Sequence, residues 1–390
     1  MPRRLRIFVH CASECLTDHL PHGDGLICFS LLAGLAHRGH RIEALAWHAD
    51  ISTPVEGLEV ATILPVARSG ALRIREFHFR ANRRYRRRAR STAFDLVWRM
   101  HPYGYACPGP PATSGEPLVI GPLFYPWPQP ARAPQRLRWL RPGTYLMPSA
   151  LRGWDRALAT ANALLLPTAP MQADYQARFP NACCISVPVI VDPPAPPPER
   201  SAAANEPLRL VFVANLVDYK NPAIFLDAVQ LLHQRGIPLH AEIAGDGPLR
   251  GHLEARIEQL GLGSAVRMLG RIPNRQVFDL VARAHFMVSA SLGEPYGRNI
   301  AEAMSVGTPC VCHRSGGPAD FILDQRNGLL VPDLAAALYA EQIAAVWQTP
   351  GRWSQLSRGA TETAAAWRAR PVLDHLEAQL LHLAHGPNDS

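Results

Sequence analysis

The sequence predicts an α/β protein of two doubly wound, Rossmann-like domains, each a parallel sheet with helices on both faces. Three observations carry that expectation. Apolar runs of strand length alternate with amphipathic stretches of helix length along most of the chain, the pattern of repeated βαβ units. Glycine turns recur where a strand gives way to a helix. One proline-rich stretch, Asp192 to Pro207, breaks the alternation in a chain of 390 residues, longer than a single core normally organises. The expected partition is a first domain over 1–192, a linker over 193–207, a second domain over 208–370, and a last helix and tail over 371–390 packing back towards the first domain.

Leu5 to Val9 reads as the first strand, followed by a loop at His22-Gly23-Asp24-Gly25 and a helix from Leu26 to His37 that Arg38-Gly39-His40 closes. Arg41 to Trp47 has the apolar spacing of a second strand. The glycines before the helix would let a ligand approach the backbone, and a purely structural turn uses a G-x-G about as often. Between Arg73 and Arg90 nine arginines are interleaved with Phe77, Phe79 and Tyr85. Such a helix suits a solvated face or an anionic membrane surface better than nucleic acid, because no nucleic-acid-binding motif accompanies it. Asp95 to Trp98 gives a strand ending near His101 and Tyr103, and Leu118 to Gly121 gives another inside the proline- and tryptophan-rich stretch Pro108 to Pro142. Tyr125, Trp127 and Trp139 there suit sugar stacking or the packing of a long loop equally well. A helix over Ser149 to Ala161, a strand over Ala163 to Leu166, a helix over Met171 to Phe179 and a strand over Cys184 to Val189 complete this half.

Leu208 to Val213 restarts the pattern: strand, a turn bearing Lys220, helix Pro222 to Arg235, strand Leu239 to Ile243, the turn Gly245-Asp246-Gly247-Pro248, helix Leu249 to Leu260, strand Val266 to Leu269 and helix Asn274 to Arg283. The apolar run Phe286 to Val288 then enters Ser289 to Pro309, a Pro/Gly turn followed by a helix over Asn299 to Val306 that Gly307 stops. Strand Pro309 to Cys312, the turn Ser315-Gly316-Gly317-Pro318, strand Gly328 to Val331, helices Leu334 to Trp347 and Trp353 to Arg368, and a last helix Val372 to His385 follow.

Composition excludes several classes. No apolar run approaches the roughly 20 residues that span a bilayer. The basic start, Met1 to Arg6, leads only into Ile7 to Val9, which suits a strand and not a signal peptide, so a cytoplasmic protein is expected, with the arginine-rich helix a candidate for peripheral contact with the inner membrane face. The eight cysteines contain no C-x-x-C pair and read as buried thiols; Cys310 and Cys312 share one strand face, most simply in the core. The net charge of +8 is nearly all arginine, and Lys220 is the only lysine.

The chemistry concentrates in Ser289 to Pro309. Its turn falls at the carboxyl end of a strand, where open parallel sheets bind ligands, and a helix N-terminus there offers backbone N–H groups to an anion. Glu294 and Glu302 frame it, and by themselves they read as a turn acid and a solvated helix residue. Lys220 follows the second domain's first strand at the same edge, and a compact point charge beside a helix N-terminus suits a diphosphate. A carboxylate such as Glu302 can take both hydroxyls of a ribose, while the N–H groups of Tyr296, Gly297, Arg298 and Asn299 can hold sugar hydroxyls or the distal phosphate.

The segments E-P-Y-G-R-N-I-A-E, F-V-A-N-L-V-D-Y-K-N, G-D-G-P, S-G-G-P-A-D-F-I and N-G-L-L-V-P together resemble the retaining glycosyltransferases of family 4, which have the GT-B fold. The resemblance covers nearly the whole chain and is strongest from Leu208 to Pro332. It implies two Rossmann-like domains facing across a cleft, and transfer of a sugar from a UDP- or GDP-linked donor to an acceptor hydroxyl with retention, in glycan or natural-product biosynthesis. Glu294 and Glu302 are implied to be the acids of an E-x7-E motif, with Glu294 and Lys220 catalytic and Glu302 on the ribose. The base is implied to lie beside Arg271 and Ile272, and Gly23 matches one glycine of a Gly-Gly loop. No metal or other cofactor is implied beyond the nucleotide sugar, and the acceptor is a glycan, a lipid-linked or a small molecule. The chain departs from the pattern twice. Asn215 stands where the family pairs an arginine with the lysine, making Arg298 the candidate replacement, and L-V-I-G-P lacks the acceptor-side histidine, making His101 the candidate stand-in. A nucleotide-sugar epimerase of the same fold and a catalytically impaired sugar-nucleotide-binding protein are the competing readings.

Overall fold

Parallel strands covered on both faces must be apolar along their length, and the two strand-rich halves of this chain satisfy that demand in two separate sheets. The computed structural model describes residues 4–20, 22–67, 70–100, 111–123, 155–195, 206–294 and 296–386. The chain divides into two compact units, one of Met1–Pro128, Trp139–Ile190 and Ala369–Ser390, the other of Gln129–Arg138 and Val191–Arg368.

The first unit contains β1 (Arg6–Cys11), β2 (Cys15–Thr17), α1 (Gly23–His37), β3 (Arg41–Ala46), β4 (His48–Asp50), β5 (Leu58–Thr62), α2 (Gly70–Arg88), β6 (Leu96–Arg99), β7 (Leu118–Ile120), β8 (Ala163–Leu166), α3 (Ala169–Arg178) and β9 (Cys183–Ser186). Its sheet runs β5-β3-β1-β6-β7-β8-β9, so the chain order reverses between β1 and β6; β2 and β4 form a small parallel pair. Ile7 and Val9 of β1 pack with Leu31 and Leu35 of α1 on one face, while Phe8 and Cys11 pack with Phe77, Ala81 and Tyr85 of α2 on the other.

The expected loop at His22 to Gly25 is instead the first turn of α1. His22 caps that turn, its Nδ1 accepting the Gly25 N–H at 3.1 Å. A Cβ at Gly25 would meet the Cys15 carbonyl oxygen at 1.9 Å, whereas Gly23 has open space around it. Gly25 is thus required by β2 passing over the helix start. The strands β2, β4 and β5 had no sequence signal, since the first two have three residues each and β5 is only half-buried.

The second unit contains β10 (Leu208–Val213), a 3-10 turn (Asp218–Lys220), α4 (Pro222–Gln234), β11 (Leu239–Ala244), α5 (Arg250–Gln259), β12 (Val266–Gly270), α6 (Asn274–Arg283), β13 (Phe286–Ser289), α7 (Arg298–Ser305), β14 (Cys310–His313), α8 (Pro318–Phe321), β15 (Gly328–Val331), α9 (Ala336–Trp347) and α10 (Arg352–Ala364). The sheet order is β12-β11-β10-β13-β14-β15, every neighbouring pair parallel. Cys310 and Cys312 are both buried, and burial together with a hydrogen bond to Cys310 pushes the Cys312 thiol well up.

The chain then returns to the first unit as α11 (Ala369–His385). Gly34 of α1 has no Cβ, which leaves room for Leu373; an added Cβ there would sit 2.4 Å from its Cδ1. Arg38 donates to Glu377 at 2.6 Å and to Asp374 at 2.7 Å. His40 Nδ1 accepts the Leu5 N–H at 3.0 Å, leaving Nε2 to donate to Glu377 at 2.8 Å. Burial pushes the Glu377 carboxyl up, but its hydrogen bonds from Arg38 and His40 outweigh this and hold it below the usual range. A carboxyl depressed in the folded state stabilises above its unfolded pKa and loses that contribution as pH falls through the folded value. Glu377→Gln should therefore cost about 1 kcal/mol at neutral pH, and the difference from wild type should shrink as the pH falls to about 4 and below. Thermal melts at both pH values check this; a difference independent of pH would contradict it.

Candidate functional site

Where the order of an open parallel sheet reverses, the two loops leaving the carboxyl edge diverge and make a crevice. In the second unit this happens between β10 and β13, which pair Leu210 with Phe286 and Val211 with Met287. Their loops are laced together. The Leu292 N–H donates to Tyr219 O at 2.8 Å, Asn221 Nδ2 donates to Ala290 O at 2.9 Å, and Lys220 Nζ forms an ion pair with Glu294 Oε2. The turn closes because Asn221 adopts the left-handed region, with φ 48°, and Pro222 begins α4 at once. Lys220 is buried, at 8% exposure, so the only lysine lies inside this lacing rather than on the surface.

Glu294 is gripped from the other side by the loop after β14. Its carbonyl accepts the Gly317 N–H at 2.7 Å, and a Cβ on Gly316, whose φ is +67°, would fall 2.3 Å from that same oxygen. Ser315 Oγ accepts the Gly293 N–H at 3.4 Å and lies 2.8 Å from His313 Nδ1. Burial lowers the His313 pKa.

The helix after the turn begins one residue earlier than its sequence pattern predicts. Gly297, at φ +89°, caps α7, and Arg298 is its first residue. Asn299 Nδ2 donates to Val213 O at 2.6 Å, which ties the start of α7 to the end of β10. Glu302 is 3% exposed and so is not a solvated helix residue. Its Oε1 accepts from Arg298 Nε at 2.8 Å and from Asn274 Nδ2 at 3.0 Å. Arg298 is only partly spent in this pair, because its Nη1 is buried and has no hydrogen-bond partner. Tyr296 is buried against Phe321, with ring centroids 5.3 Å apart. Lys220, Glu294, Gly297, Arg298, Asn299 and Glu302 are thus brought to one edge.

Among the described residues, none of the other sequence-predicted residues hydrogen-bonds or ion-pairs with the side chains of this group. Asn215 is exposed in the loop after β10, its carbonyl accepting the Val217 N–H at 3.0 Å, and it brings no charge. Arg271 is exposed and Ile272 half-buried in the turn from β12 to α6, the element that also carries Asn274. Gly23 is exposed at the start of α1 in the first unit, and His101 lies outside the described residues.

Sequence reasoning missed Asn274, and also a buried polar cluster at the carboxyl ends of β1 and β6. There His10 Nε2 faces Asn82 Oδ1 at 2.9 Å, the His10 and His78 rings stack at 5.2 Å, and Arg99 Nη2 lies 2.9 Å from His78 Nε2. Burial first, then the Arg99 charge, lowers His10 to about 3 and also lowers His78. The only available signal was a histidine at the end of the first strand, since His78 comes from a helix distant in sequence. Among the described residues no group of three or more His, Cys, Asp or Glu side chains is placed to hold a metal ion.

Two doubly wound units of this kind define the GT-B fold. Sucrose-phosphate synthase from Thermosynechococcus elongatus superposes with a TM-score of 0.73 at 17% identity, over 98% of this chain and 99% of that one. An Anabaena protein, HepE, solved with UDP and glucose, superposes with a TM-score of 0.68 at 15% identity, over 97% of this chain and 100% of that one. Residues 197–363 match the family described as glycosyl transferases group 1. D-inositol 3-phosphate glycosyltransferase 1 of Catenulispora acidiphila is 31% identical over 178 residues, 43% of each chain. The chain spans about two-fifths of the length of the curated relatives it matches.

The grip on Glu294 predicts unequal costs for two glycines of the second unit. Gly351 also has positive φ, 72°, but an added Cβ there would meet nothing within 4 Å, so Gly351→Ala should cost only the strain of about 1 kcal/mol. Gly316→Ala adds a collision with the Glu294 carbonyl and should cost about 3 kcal/mol, read as a larger drop in melting temperature. Equal drops would mean that the two loops are not in close contact.

Proposed function

We propose that the second unit binds a UDP- or GDP-linked sugar in the crevice between the β10 and β13 loops, and that the protein transfers the sugar to an acceptor hydroxyl with retention. The observation carrying this reading is the placement of two ion pairs, Lys220 with Glu294 between the β10 and β13 loops and Arg298 with Glu302 at the start of α7, in a segment matched by the group 1 family. Negative charge develops on the departing diphosphate, and fixed donors that already point at it lower the barrier. Lys220, the opening N–H groups of α7 beside Gly297 and Asn299, and Arg298 fill that role. Glu294, released from Lys220 by the diphosphate, takes hydroxyls of the donor sugar. Glu302 has one oxygen engaged by Arg298 and Asn274, and Oε2 takes the ribose hydroxyls. The backbone beside Arg271 and Ile272 flanks the base, and Tyr296 packs beneath the turn. In this reading Gly23 is a donor-binding residue and His101 belongs to the acceptor side, and the acceptor is a glycan, a lipid-linked or a small molecule. The reaction draws on no metal or other cofactor; the nucleotide sugar is a co-substrate. The Anabaena neighbour solved with UDP and glucose favours uridine nucleotides and hexoses as first probes.

A panel of UDP- and GDP-sugars tests the reading. Nucleoside diphosphate release should rise with added acceptor, and the product anomer, read by NMR, should match the donor's. Acceptor-independent release or epimerised free sugar would overturn it. Lys220→Ala should lower kcat by about 10²-fold or more, as loss of an oxyanion donor does. Wild-type turnover in that variant would remove Lys220 from the mechanism. Arg298→Leu separates two roles. If Nη1 meets the diphosphate, UDP binding weakens by about tenfold more than UMP binding. Equal losses for UMP and UDP would make Arg298 only a support for Glu302.

A further inference from the structure

Among the described residues the large apolar side chains left exposed are Leu64, Val66, Leu72, Phe79 and Leu323. Four of these five belong to α2 and the segment leading into it, with Val66 83% and Phe79 70% exposed. The segment is held against the helix: Glu76 accepts the N–H groups of Val66 at 2.9 Å and Ala67 at 2.8 Å, and Arg80 donates to the Leu64 carbonyl at 2.8 Å. Leu72 and Phe79, seven positions apart, share one helix face. The same outward side continues with Arg83, Arg86 and Arg90, flanked by Arg75, Arg84 and Arg87, all exposed. Of the helix's arginines, Arg80 is paired with Glu76 and Arg88 with Glu43, but none of those six forms an ion pair among the described residues. The opposite side, Phe77, Ala81 and Tyr85, is core.

A merely solvated helix exposes charges of both signs and hides its phenylalanines. This outward face is instead apolar in its N-terminal half and purely cationic in its C-terminal half. We propose that it docks on an anionic membrane surface. Leu64, Val66, Leu72 and Phe79 enter the boundary between headgroups and acyl chains, while the unpaired guanidiniums engage lipid phosphates. Arginine suits that task, because its planar fork meets a phosphate through two hydrogen bonds. A nucleic acid would use the arginines and leave the apolar half without a role. The segment carrying Leu64 and Val66 follows β5 directly, so the apolar end lies at the carboxyl edge of the first unit's sheet. The docking does not depend on the transfer reading.

Flotation of the full chain with vesicles tests it. Wild type should bind vesicles of phosphatidylcholine containing phosphatidylglycerol, not vesicles of phosphatidylcholine alone, and should be released by salt. Replacing Arg83, Arg84, Arg86 and Arg87 with glutamine should lower partitioning by about 10²-fold or more. Leu72→Ser with Phe79→Ser should lower it by about tenfold at unchanged charge. All six positions are exposed, and circular dichroism melts confirm folding; the single variant Phe79→Ser serves if the pair does not fold. No binding by wild type, equal binding by the serine variants, or displacement from vesicles by a short single-stranded RNA would each overturn the proposal.

Discussion

The ion pair of Lys220 with Glu294 is the contact on which the candidate site depends, because it joins two loops that the sheet topology alone would let diverge. The backbone bonds Leu292 to Tyr219 and Asn221 to Ala290 bring the loops together, and the ion pair sets their tips. Glu294 is at the same time fastened by its carbonyl to the Gly316–Gly317 turn. Three loops, following β10, β13 and β14, therefore converge on one glutamate. The apolar strands beneath them supply the rigidity, since every residue of β13 and β14 is buried.

The charges at this edge nearly cancel. Lys220 offsets Glu294 and Arg298 offsets Glu302, which is how four ionisable side chains can sit half or fully buried together. A doubly charged diphosphate would upset that balance unless one partner swings away. Glu294 is the natural one to move, for among the described residues its carboxylate meets Lys220 alone through a hydrogen bond, whereas Glu302 is held by both Arg298 and Asn274. The two acids of the motif thus separate physically into a releasable carboxylate and a fixed one. That division agrees with one acting on a sugar and the other on a ribose.

Much of this could be read in the sequence, and for definite reasons. The strands of the second unit are short apolar runs bounded by glycine, so their number and positions emerge from patterning alone. The placing of Lys220 at the same sheet edge as the Glu294 turn was legible because both follow central strands of a doubly wound sheet. The burial of Glu302 was not, since a charged residue one helical turn beyond an arginine reads as an ordinary exposed pair until Asn274 arrives from another helix. The start of α1 was misplaced because two glycines argue for a loop, whereas only the proximity of β2 makes Gly25 compatible with a helix. Short half-exposed strands such as β5 carry no apolar run at all.

The first unit uses the same topological device with different chemistry. Its sheet reverses between β1 and β6, and the side chains at that carboxyl edge are His10 and Arg99, joined by His78 from α2. Asn82 Oδ1 also accepts the Ala112 N–H at 2.8 Å, which fixes it as an oxygen and makes His10 Nε2 the donor. Because burial and the Arg99 charge depress the imidazole to about 3, His10 keeps one proton, leaving Nδ1 as a bare, buried acceptor. Burial, with one guanidinium beside it, thus keeps two neighbouring imidazoles from charging. The second unit's edge is built to balance charge, and the first unit's edge is built to keep its histidines neutral. Both arise from side chains that the strand order alone brings to the same end of a sheet.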